Sequence, residues 1–185
     1  MPEYIRAKTS GGTYFFTVNT HLRQPILTTP IVRQALRAGI HRARQTLPFI
    51  IEAWVLLPDH LHTIWTLPEN DHNYAARWAI IKRQVSNSCG KQFQSPDKIS
   101  DSKQRRRESG LWQRRFWEHQ IRDDLDFERH MDYLHWNPVK HGYVGKVADW
   151  PFSSFHRLVA QEVYPPDWCE AEIDKFESGR FGEGI

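Results

Sequence analysis

His60 and His62 stand two residues apart, directly after the dipeptide Pro58-Asp59. Pro-Asp favours a tight turn and apolar runs flank it, so the sequence predicts two antiparallel strands over 49–57 and 60–67. Residues two apart on a strand project from the same face of the sheet. Two imidazoles side by side on a strand can supply half of a metal site. The alternative is a pair of partly buried histidines that bond to the backbone, which is the more frequent case for an isolated His-x-His.

A helix predicted over about 123–136 carries a second set of reactive side chains. Asp123 is a suitable N-cap for it, and Pro138 forbids its continuation. One stripe of this helix presents polar residues at helical spacing, namely Asp126, His130, Tyr133 and Asn137. Tyr133 and Asn137 lie one turn apart, so a phenol and an amide oxygen are presented together. A buried tyrosine bonded to a neighbour is the alternative for Tyr133, whereas Asn137, in a frayed last turn before a proline, is free to reach out as an oxygen ligand.

Five segments of the chain together resemble one known family. In order, they read Gly11-Gly-Thr-Tyr-Phe-Phe-Thr17, Pro58-Asp-His-Leu-His62, Leu111-Trp-Gln-Arg-Arg-Phe116, Tyr133-Leu-His-Trp-Asn-Pro-Val139 and Pro151-Phe-Ser-Ser-Phe-His-Arg157. Each segment is weak by itself. In this order the five resemble the REP-associated tyrosine transposases, relatives of the single-tyrosine (IS200-like) transposases in the HUH endonuclease superfamily. The resemblance spans about residues 4–158, which is most of the chain.

The resemblance implies both a fold and a set of site residues. The fold is α+β, an RRM-like or ferredoxin-like antiparallel sheet with helices packed on it. The implied site residues are two paired metal ligands, a third ligand and a nucleophile: His60 and His62, Asn137, and Tyr133. We expect a single domain over 1–160, followed by a loosely ordered acidic tail over 161–185.

A reaction follows from these residue types. Two histidine nitrogens and one amide oxygen, with coordination positions left open, suit Mg²⁺ or Mn²⁺ better than structural zinc. Tyr133 would attack phosphorus in line, which leaves a 5′-phosphotyrosine and releases a free 3′-hydroxyl. Because the covalent link keeps the phosphodiester energy, the same site can rejoin strands. His130 is a candidate general base, with helix-surface packing as its alternative, and Asp59 is a candidate to orient an imidazole.

The distribution of charge predicts a polyanionic partner. The formal net charge is only +3, yet no acidic residue lies between Glu3 and Glu52, and seven acids face two bases in 161–185. A basic body with an acidic tail is typical of nucleic-acid-binding proteins, and a solvated basic helix face is the alternative. A single nucleophile needs access to unpaired DNA, and the resemblance implies single-stranded palindromes that fold into REP-type hairpins.

Candidate DNA-contacting residues fall in four stretches of the chain. They are Arg33, Arg37 and Arg44 on a helix that begins at Pro30; Lys103, Arg105, Arg106 and Arg107 in a polar loop over 95–110; Arg114 and Arg115 in a strand-like, aromatic stretch over 112–121; and Ser153, Ser154 and Arg157. A merely solvated loop is the alternative for 95–110. An edge strand whose aromatic residues face the core is the alternative for 112–121.

The remaining predicted elements are a strand over 13–19 and two helices, one from Pro30 and one over 74–93. The first helix is expected to turn its arginines outwards and to line its inner side with Ile31, Ala35, Ala38 and the stem of Arg42. The two strands beside the histidines are expected at the centre of the sheet.

Bulk features of the sequence favour a cytoplasmic protein, associated with the nucleoid when it binds DNA. Cys89 and Cys169 lie far apart without metal-binding spacing, which suits a reducing compartment. The chain shows no secretory signal pattern at its start, and no apolar run approaches the length of a membrane span. We expect a monomer or a homodimer.

The predicted function is that of a sequence-specific, single-stranded DNA endonuclease and strand transferase acting on REP-type hairpins. One rival is a catalytically inactive nucleic-acid-binding protein on the same fold. A second rival is a nucleotide hydrolase of the histidine-triad kind. That pattern needs a third alternating histidine, and the position is occupied by Ile64.

Overall fold

The structure is a computed structural model that describes residues 9–93 and 110–168. Within these ranges four strands form one antiparallel sheet: β1 (Thr13–Asn19), β2 (Ile50–Leu56), β3 (His60–Thr66) and β4 (Trp117–Gln120). The α-helices of the same ranges are α1 (Pro30–Thr46), α2 (Tyr74–Phe93), α3 (Asp124–Lys140) and α4 (Phe155–Ala160). None of these helices combines the length and the apolar character needed to cross a bilayer.

The sheet has the connectivity of a ferredoxin-like fold. The elements β1 to β4 alternate with α1 and α2 as βαββαβ, and the strands lie side by side in the order β2-β3-β1-β4. The predicted α+β class, with an RRM-like or ferredoxin-like sheet, is confirmed. The expectation that both histidine-flanking strands are central is wrong for β2, which is an edge strand because, among the described strands, it pairs with β3 alone.

The two faces of the sheet bury two separate cores. Alternate residues of β1 point to opposite faces, so Tyr14 and Phe16 join the core beneath α1 and α2, while Phe15 joins the core beneath α3. On β3 the same alternation places Ile64 in the α3 core. His60 and His62 are in phase with Ile64 and therefore face α3.

The inner face of α1 differs from its prediction. Ile31 is 38% exposed and Ala38 is exposed, and the buried residues are Val32, Ala35, Leu36, Gly39 and Ala43. Gly39 explains the difference, because a Cβ at this position would stand 3.1 Å from the Cα of Ile81 on α2. The close approach of the two backbones turns the stripe through Gly39 inwards and leaves Arg37 and Arg44 on the outside.

Helix α3 begins as predicted and ends later than predicted. The carboxylate of Asp123 accepts a hydrogen bond from the Asp126 N–H at 2.8 Å, which caps the first turn. The expected end before Pro138 is wrong, since the helix continues to Lys140. Proline removes its own N–H donor, but the following turn is still closed by the His141 N–H on the Asn137 carbonyl at 3.0 Å.

Residues 161–168, at the start of the predicted acidic tail, are held against α3, and the predicted domain bounds 1–160 and 161–185 stay a prediction. The Tyr164 hydroxyl donates to Asp132 at 2.6 Å, and its ring lies 4.8 Å from that of Trp168 between ring centroids. Two aromatic side chains provide enough apolar surface to anchor this short segment. The remainder of the expected tail, 169–185, lies outside the described residues.

Candidate active site

His60 and His62 form a buried pair at the start of β3. Their ring centroids are 4.9 Å apart, and the side chains are 1% and 0% exposed. The Nδ1 atom of His60 lies 2.7 Å from the Asp59 carboxylate, and Nδ1 of His62 lies 2.9 Å from the Thr17 hydroxyl on β1. Both Nε2 atoms are buried and have no hydrogen-bond partner among the described residues. Side chains rather than backbone groups thus orient both rings.

Asp59 fixes the orientation of the His60 ring. Burial by itself would raise the pKa of this carboxyl, but the hydrogen bond with His60 and the charges of His60 and Arg23 outweigh it and lower the pKa. Arg23 contributes a direct ion pair, with Nε 2.9 Å from the carboxylate. A carboxylate that accepts from Nδ1–H leaves Nε2 as the lone-pair nitrogen, which is the form that binds a metal.

His62 is held in its neutral form. Burial lowers its pKa well below the ordinary value, and the nearby charges of His60, His141 and Lys140 lower it further. A neutral imidazole is a metal ligand, whereas an imidazolium is not. The surroundings of His62 therefore favour metal coordination over protonation of this ring.

Asn137 supplies the third buried donor. The expectation that it lies in a frayed last turn is wrong, because α3 continues past it and its side chain is 0% exposed. Neither its amide oxygen nor its amide nitrogen has a hydrogen-bond partner among the described residues. A buried amide left unsatisfied costs about 1–3 kcal/mol. The same site has two imidazole nitrogens without a hydrogen-bond partner among the described residues. An unsatisfied amide beside them is expected when the amide binds a cation.

The neighbours of Asn137 on α3 place it beside the histidines. Tyr133, one turn before Asn137, lies edge-on to His62 with ring centroids 5.5 Å apart. His141, one turn after it, lies 5.1 Å from His60 between ring centroids. Because residues one turn before and one turn after Asn137 contact the two rings, we infer that the Asn137 amide lies on the side of α3 that meets His60 and His62. This donor set fits a divalent metal ion.

Tyr133 faces this donor set. Its side chain is 1% exposed, and the ammonium of Lys140 lies 3.5 Å from its phenolic oxygen. The phenol therefore stands between a strand-borne imidazole and a lysine of its own helix. A phenol beside a cation site is suited to attack on a phosphate bound there.

The chain is similar to known proteins over nearly its whole length. No protein-family model matches it. The REP-associated tyrosine transposase of Escherichia coli (strain K12) is 45% identical over 180 residues, which are 97% of each chain. The chain belongs to the REP-associated tyrosine transposases. A putative REP-associated tyrosine transposase of Haemophilus influenzae (strain ATCC 51907 / DSM 11121 / KW20 / Rd) is 47% identical over 168 residues, 91% of this chain and 93% of that one.

A solved structure supports the same assignment. It shows a REP-associated tyrosine transposase bound to a REP hairpin, and it matches with a TM-score of 0.81 and 44% sequence identity. The match covers 100% of this chain and 99% of that one. The predicted family is thus confirmed, and with it an enzyme of DNA cleavage and rejoining. The family also implies a divalent metal ion, which fits the buried donors of His60, His62 and Asn137 that have no partner in 9–93 and 110–168.

In this family member, His130 belongs to a network at the start of α3. Its Nδ1 lies 2.7 Å from the Asp126 carbonyl, and its ring stacks on His119 at 4.5 Å between centroids. The Asp126 carboxylate in turn binds His119 Nε2 and Arg122 Nε, each at 2.9 Å. Ligand atoms of His119, Asp126 and His130 lie within 4.8 Å of one another. Since Arg122 already neutralises the carboxylate, we interpret this cluster as a support for α3, and the role of His130 as a base stays a prediction.

Five of the predicted DNA-contacting residues line a trough along α1: Arg33, Arg37, Arg44, Ser153 and Ser154. Arg33 and Arg37 border a groove of about 340 Å³ whose apolar floor includes Trp54 and Phe152. The Arg33 guanidinium lies 4.6 Å from the centroid of the Phe152 ring. Arg37 and Arg44 line an adjoining groove of about 430 Å³. Cationic walls and an aromatic floor suit a nucleic-acid strand.

The predicted contacts after α3 are engaged within the fold. The Ser154 hydroxyl accepts from the Trp54 N–H at 2.8 Å, and the Ser153 hydroxyl accepts from the Phe155 N–H at 3.1 Å. Arg157 donates to the Glu52 carbonyl at 2.5 Å. The Ser154 and Arg157 bonds attach the segment to the outer edge of β2, and DNA contact by these three residues stays a prediction.

The other predicted contacts divide into two groups. Arg114 and Arg115 are exposed just before β4, and Phe116 packs into the α1–α2 core, which agrees with the edge-strand alternative for that stretch. The four residues of the polar loop lie outside the described residues: Lys103, Arg105, Arg106 and Arg107.

Sequence reasoning missed four residues at this site: Thr17, Arg23, Lys140 and His141. The helix predicted from the sequence ends before Pro138, so Lys140 and His141 lie beyond its predicted end. The two residues lie three and four positions after Asn137, so extending the helical stripe of Tyr133 and Asn137 by one turn identifies both of them. Thr17 can be identified only from the pairing of β1 with β3, which aligns it with His62.

Proposed function

We propose that this protein cleaves single-stranded DNA at REP-type hairpins, sequence-specifically, and rejoins it through a 5′-phosphotyrosine on Tyr133. The observation that carries the proposal is the edge-on contact of Tyr133 with His62, beside two buried imidazole nitrogens that lack partners among the described residues. The hairpin in the related solved structure supports the class of substrate. Because the target lies on the chromosome, we expect the protein to act in the cytoplasm, at the nucleoid.

The proposed metal ion is Mg²⁺ or Mn²⁺. His60 and His62 would hold it through Nε2, and Asn137 through its amide oxygen. When bound, the ion neutralises charge that develops on the scissile phosphate. Mixed nitrogen and oxygen ligands suit Mn²⁺ in particular, while open positions for phosphate and water suit both ions.

The protein's own groups perform the remaining steps. Asp59 and Thr17 keep the two Nε2 atoms pointed at the site through the Nδ1 contacts. The Tyr133 oxygen attacks phosphorus, its bond to phosphorus forms as the bond from phosphorus to the 3′ oxygen breaks, and the phenolic proton balances the one gained by the 3′-hydroxyl. The reverse attack by a 3′-hydroxyl releases the tyrosine and joins the strands.

Substrate DNA is proposed to lie partly in the trough of Arg33, Arg37 and Arg44. Phosphate contacts from this trough supply affinity, and its aromatic floor accepts unpaired bases. The proposed contacts also include Arg114 and Arg115, the polar-loop residues, and the segment after α3: Lys103, Arg105, Arg106, Arg107, Ser153, Ser154 and Arg157. His130 is proposed to support Tyr133 from the preceding turn, as a base or by fixing the helix.

One experiment separates this function from that of an inactive DNA-binding protein. Single-stranded REP palindromes are incubated with the protein and Mn²⁺, and the products are run on a denaturing gel. We expect a covalent DNA–protein adduct that disappears in Tyr133→Phe. Hairpin binding without any adduct, under several divalent metals, would favour the inactive binding protein instead.

A further inference from the structure

Lys140 contacts the atom that the proposed reaction uses as its nucleophile. Its ammonium lies 3.5 Å from the phenolic oxygen of Tyr133 and 4.9 Å from the centroid of the ring. The residue itself is exposed, whereas Tyr133 is buried. Lys140 therefore connects the buried phenol with the surface of the protein.

The position of Lys140 is a consequence of the helix geometry. Tyr133, Asn137 and Lys140 follow one another at i, i+4 and i+7, so they occupy a single stripe of α3. Lys140 joins the stripe only because α3 runs through Pro138. One helical face thus presents a nucleophile, an amide donor and a cation in succession.

We propose that Lys140 is a catalytic residue whose ammonium binds a non-bridging oxygen of the phosphate that Tyr133 attacks. This inference rests on the proposed function. An ammonium at hydrogen-bond distance from the phenolic oxygen also reaches the oxygens of a phosphorus atom bonded to that oxygen, since they lie one bond further on. The lysine stem is flexible and its end is a compact charge, so it can follow the phosphate as the bond forms.

The same contact serves both directions of the reaction. In cleavage, the bond from the tyrosine oxygen to phosphorus forms and the bond to the 3′ oxygen breaks. In rejoining, the incoming 3′-hydroxyl displaces the tyrosine, and the bonds exchange in the opposite order. Lys140 gains and loses no atoms in either direction, and its charge stabilises the phosphate oxygens in the shared transition state.

Electrostatics favour phosphate as the partner of this lysine. The Lys140 ammonium lies beside the Tyr133 oxygen and over the Tyr133 ring. An ammonium binds a phosphate oxygen through a short, charge-assisted hydrogen bond.

The first test compares adduct formation under single-turnover conditions at saturating REP hairpin with Mn²⁺. We expect Lys140→Met to slow the reaction roughly 100-fold while hairpin affinity changes little, and Lys140→Arg to recover part of the rate. Arg129→Met, which removes an exposed charge from the outer side of the same helix, is the matched control and should react normally. A wild-type rate in Lys140→Met, or a loss confined to hairpin affinity, would overturn the inference.

The second test asks whether the lysine acts on a non-bridging oxygen. Hairpins carry a methylphosphonate at the scissile position, as separate diastereomers, so that one or the other non-bridging oxygen becomes a methyl group. For one diastereomer we expect Lys140→Met to cause no further loss of rate, because the partner oxygen is already absent. Equal slowing of Lys140→Met with the phosphodiester and with both diastereomers would assign Lys140 a structural role and overturn the inference.

The two proposals fail in different ways. A wild-type protein that forms no adduct would overturn the proposed function and this inference with it. A wild-type protein that forms the adduct, with Lys140→Met equally fast, would overturn this inference alone.

Discussion

At the scale of single residues, the site depends on which nitrogen of each imidazole is left unbonded. Asp59 and Thr17 occupy the Nδ1 atoms, and the Nε2 atoms of His60 and His62 stay without a partner among the described residues. Burying such groups is unfavourable unless a ligand completes them. The site is therefore defined by the two Nε2 atoms, whose hydrogen-bonding capacity the described neighbours leave unused.

Replacing His62 by Ala should abolish adduct formation while leaving hairpin affinity within about threefold of wild type. The reason is that affinity comes mainly from phosphate contacts, whereas the imidazole acts at the metal site. Denaturing gels and fluorescence anisotropy measure the two quantities. His72→Ala, at an exposed histidine outside the site, is the control. Loss of hairpin binding in His62→Ala would mean that His62 is structural.

At the scale of elements, two close contacts decide the geometry. Gly39 lets α1 approach α2, and the continuation of α3 past Pro138 buries Asn137 and brings Lys140 to Tyr133. Each depends on one residue that is unfavourable inside a helix when judged by propensity alone. Packing against a neighbouring element outweighs that propensity.

Replacing Gly39 by Ala should lower the free energy of unfolding by about 1–3 kcal/mol. Alanine is the better helix former by about 1 kcal/mol, but its Cβ would meet the Ile81 backbone at 3.1 Å. Urea denaturation measures the change. Gln34→Ala, on the exposed side of the same helix, should change the free energy by less than about 0.5 kcal/mol. A more stable Gly39→Ala protein would show that the helices separate without cost.

At the scale of the whole molecule, the proposed catalytic residues and the proposed DNA-binding trough lie on opposite faces of the sheet. The α3 face carries the histidines and Tyr133, and the other face is covered by α1 and α2. Residues of α1, β2 and the segment 151–154 form the basic trough. The chain can therefore alter DNA affinity on one side of the sheet without disturbing the donors on the other.

Charge reversal at Arg33 and Arg37 should weaken hairpin binding and flatten its dependence on salt. Two lost phosphate contacts would reduce the slope of log K against log[salt] by roughly two. Fluorescence anisotropy between low and moderate salt measures the slope. Arg83→Glu, at an exposed arginine on α2, is the control for net charge. An unchanged slope in the double variant would place the DNA path elsewhere on the surface.

Acid should destabilise the metal-free protein through its buried histidines. Burial lowers the pKa of His135 to about 3 from an ordinary 6.5. Between these values the unfolded chain binds a proton that the folded chain does not, so the free energy of unfolding falls as the pH drops, by at most about 1.4 kcal/mol per pH unit for this group.

Urea denaturation at pH 7.5 and 5.5 measures this effect. His135→Gln can keep a contact with the Ser154 hydroxyl, which lies 3.0 Å from His135 Nε2, and should show a weaker dependence on pH than wild type. His72→Gln, at an exposed position, should retain the wild-type dependence. An identical dependence in His135→Gln and wild type would contradict the assignment to His135.

Local chemistry was sufficient to predict much of this protein. The strand–turn–strand around Pro58-Asp59, the common face of His60 and His62, and the capped start of α3 follow from alternation, turn preference and a side-chain hydrogen bond. The family and fold class followed from short motifs in a fixed order. Each of these signals lies within a short stretch of sequence, and the family assignment needs in addition the order of the stretches.

The tertiary structure decided what depends on distant parts of the chain. The register of β1 against β3 brings Thr17 to His62. Tyr164 anchors the segment after residue 160 through contacts with α3, among them its hydrogen bond to Asp132. Pro138 predicts a helix end when its neighbours are considered alone. Within the folded protein α3 is packed against the sheet, so the helix continues and brings Asn137 and Lys140 to the site. The free energy gained by burying the whole interface exceeds the free energy lost with one backbone hydrogen bond. A short sequence pattern does not indicate how large that interface is.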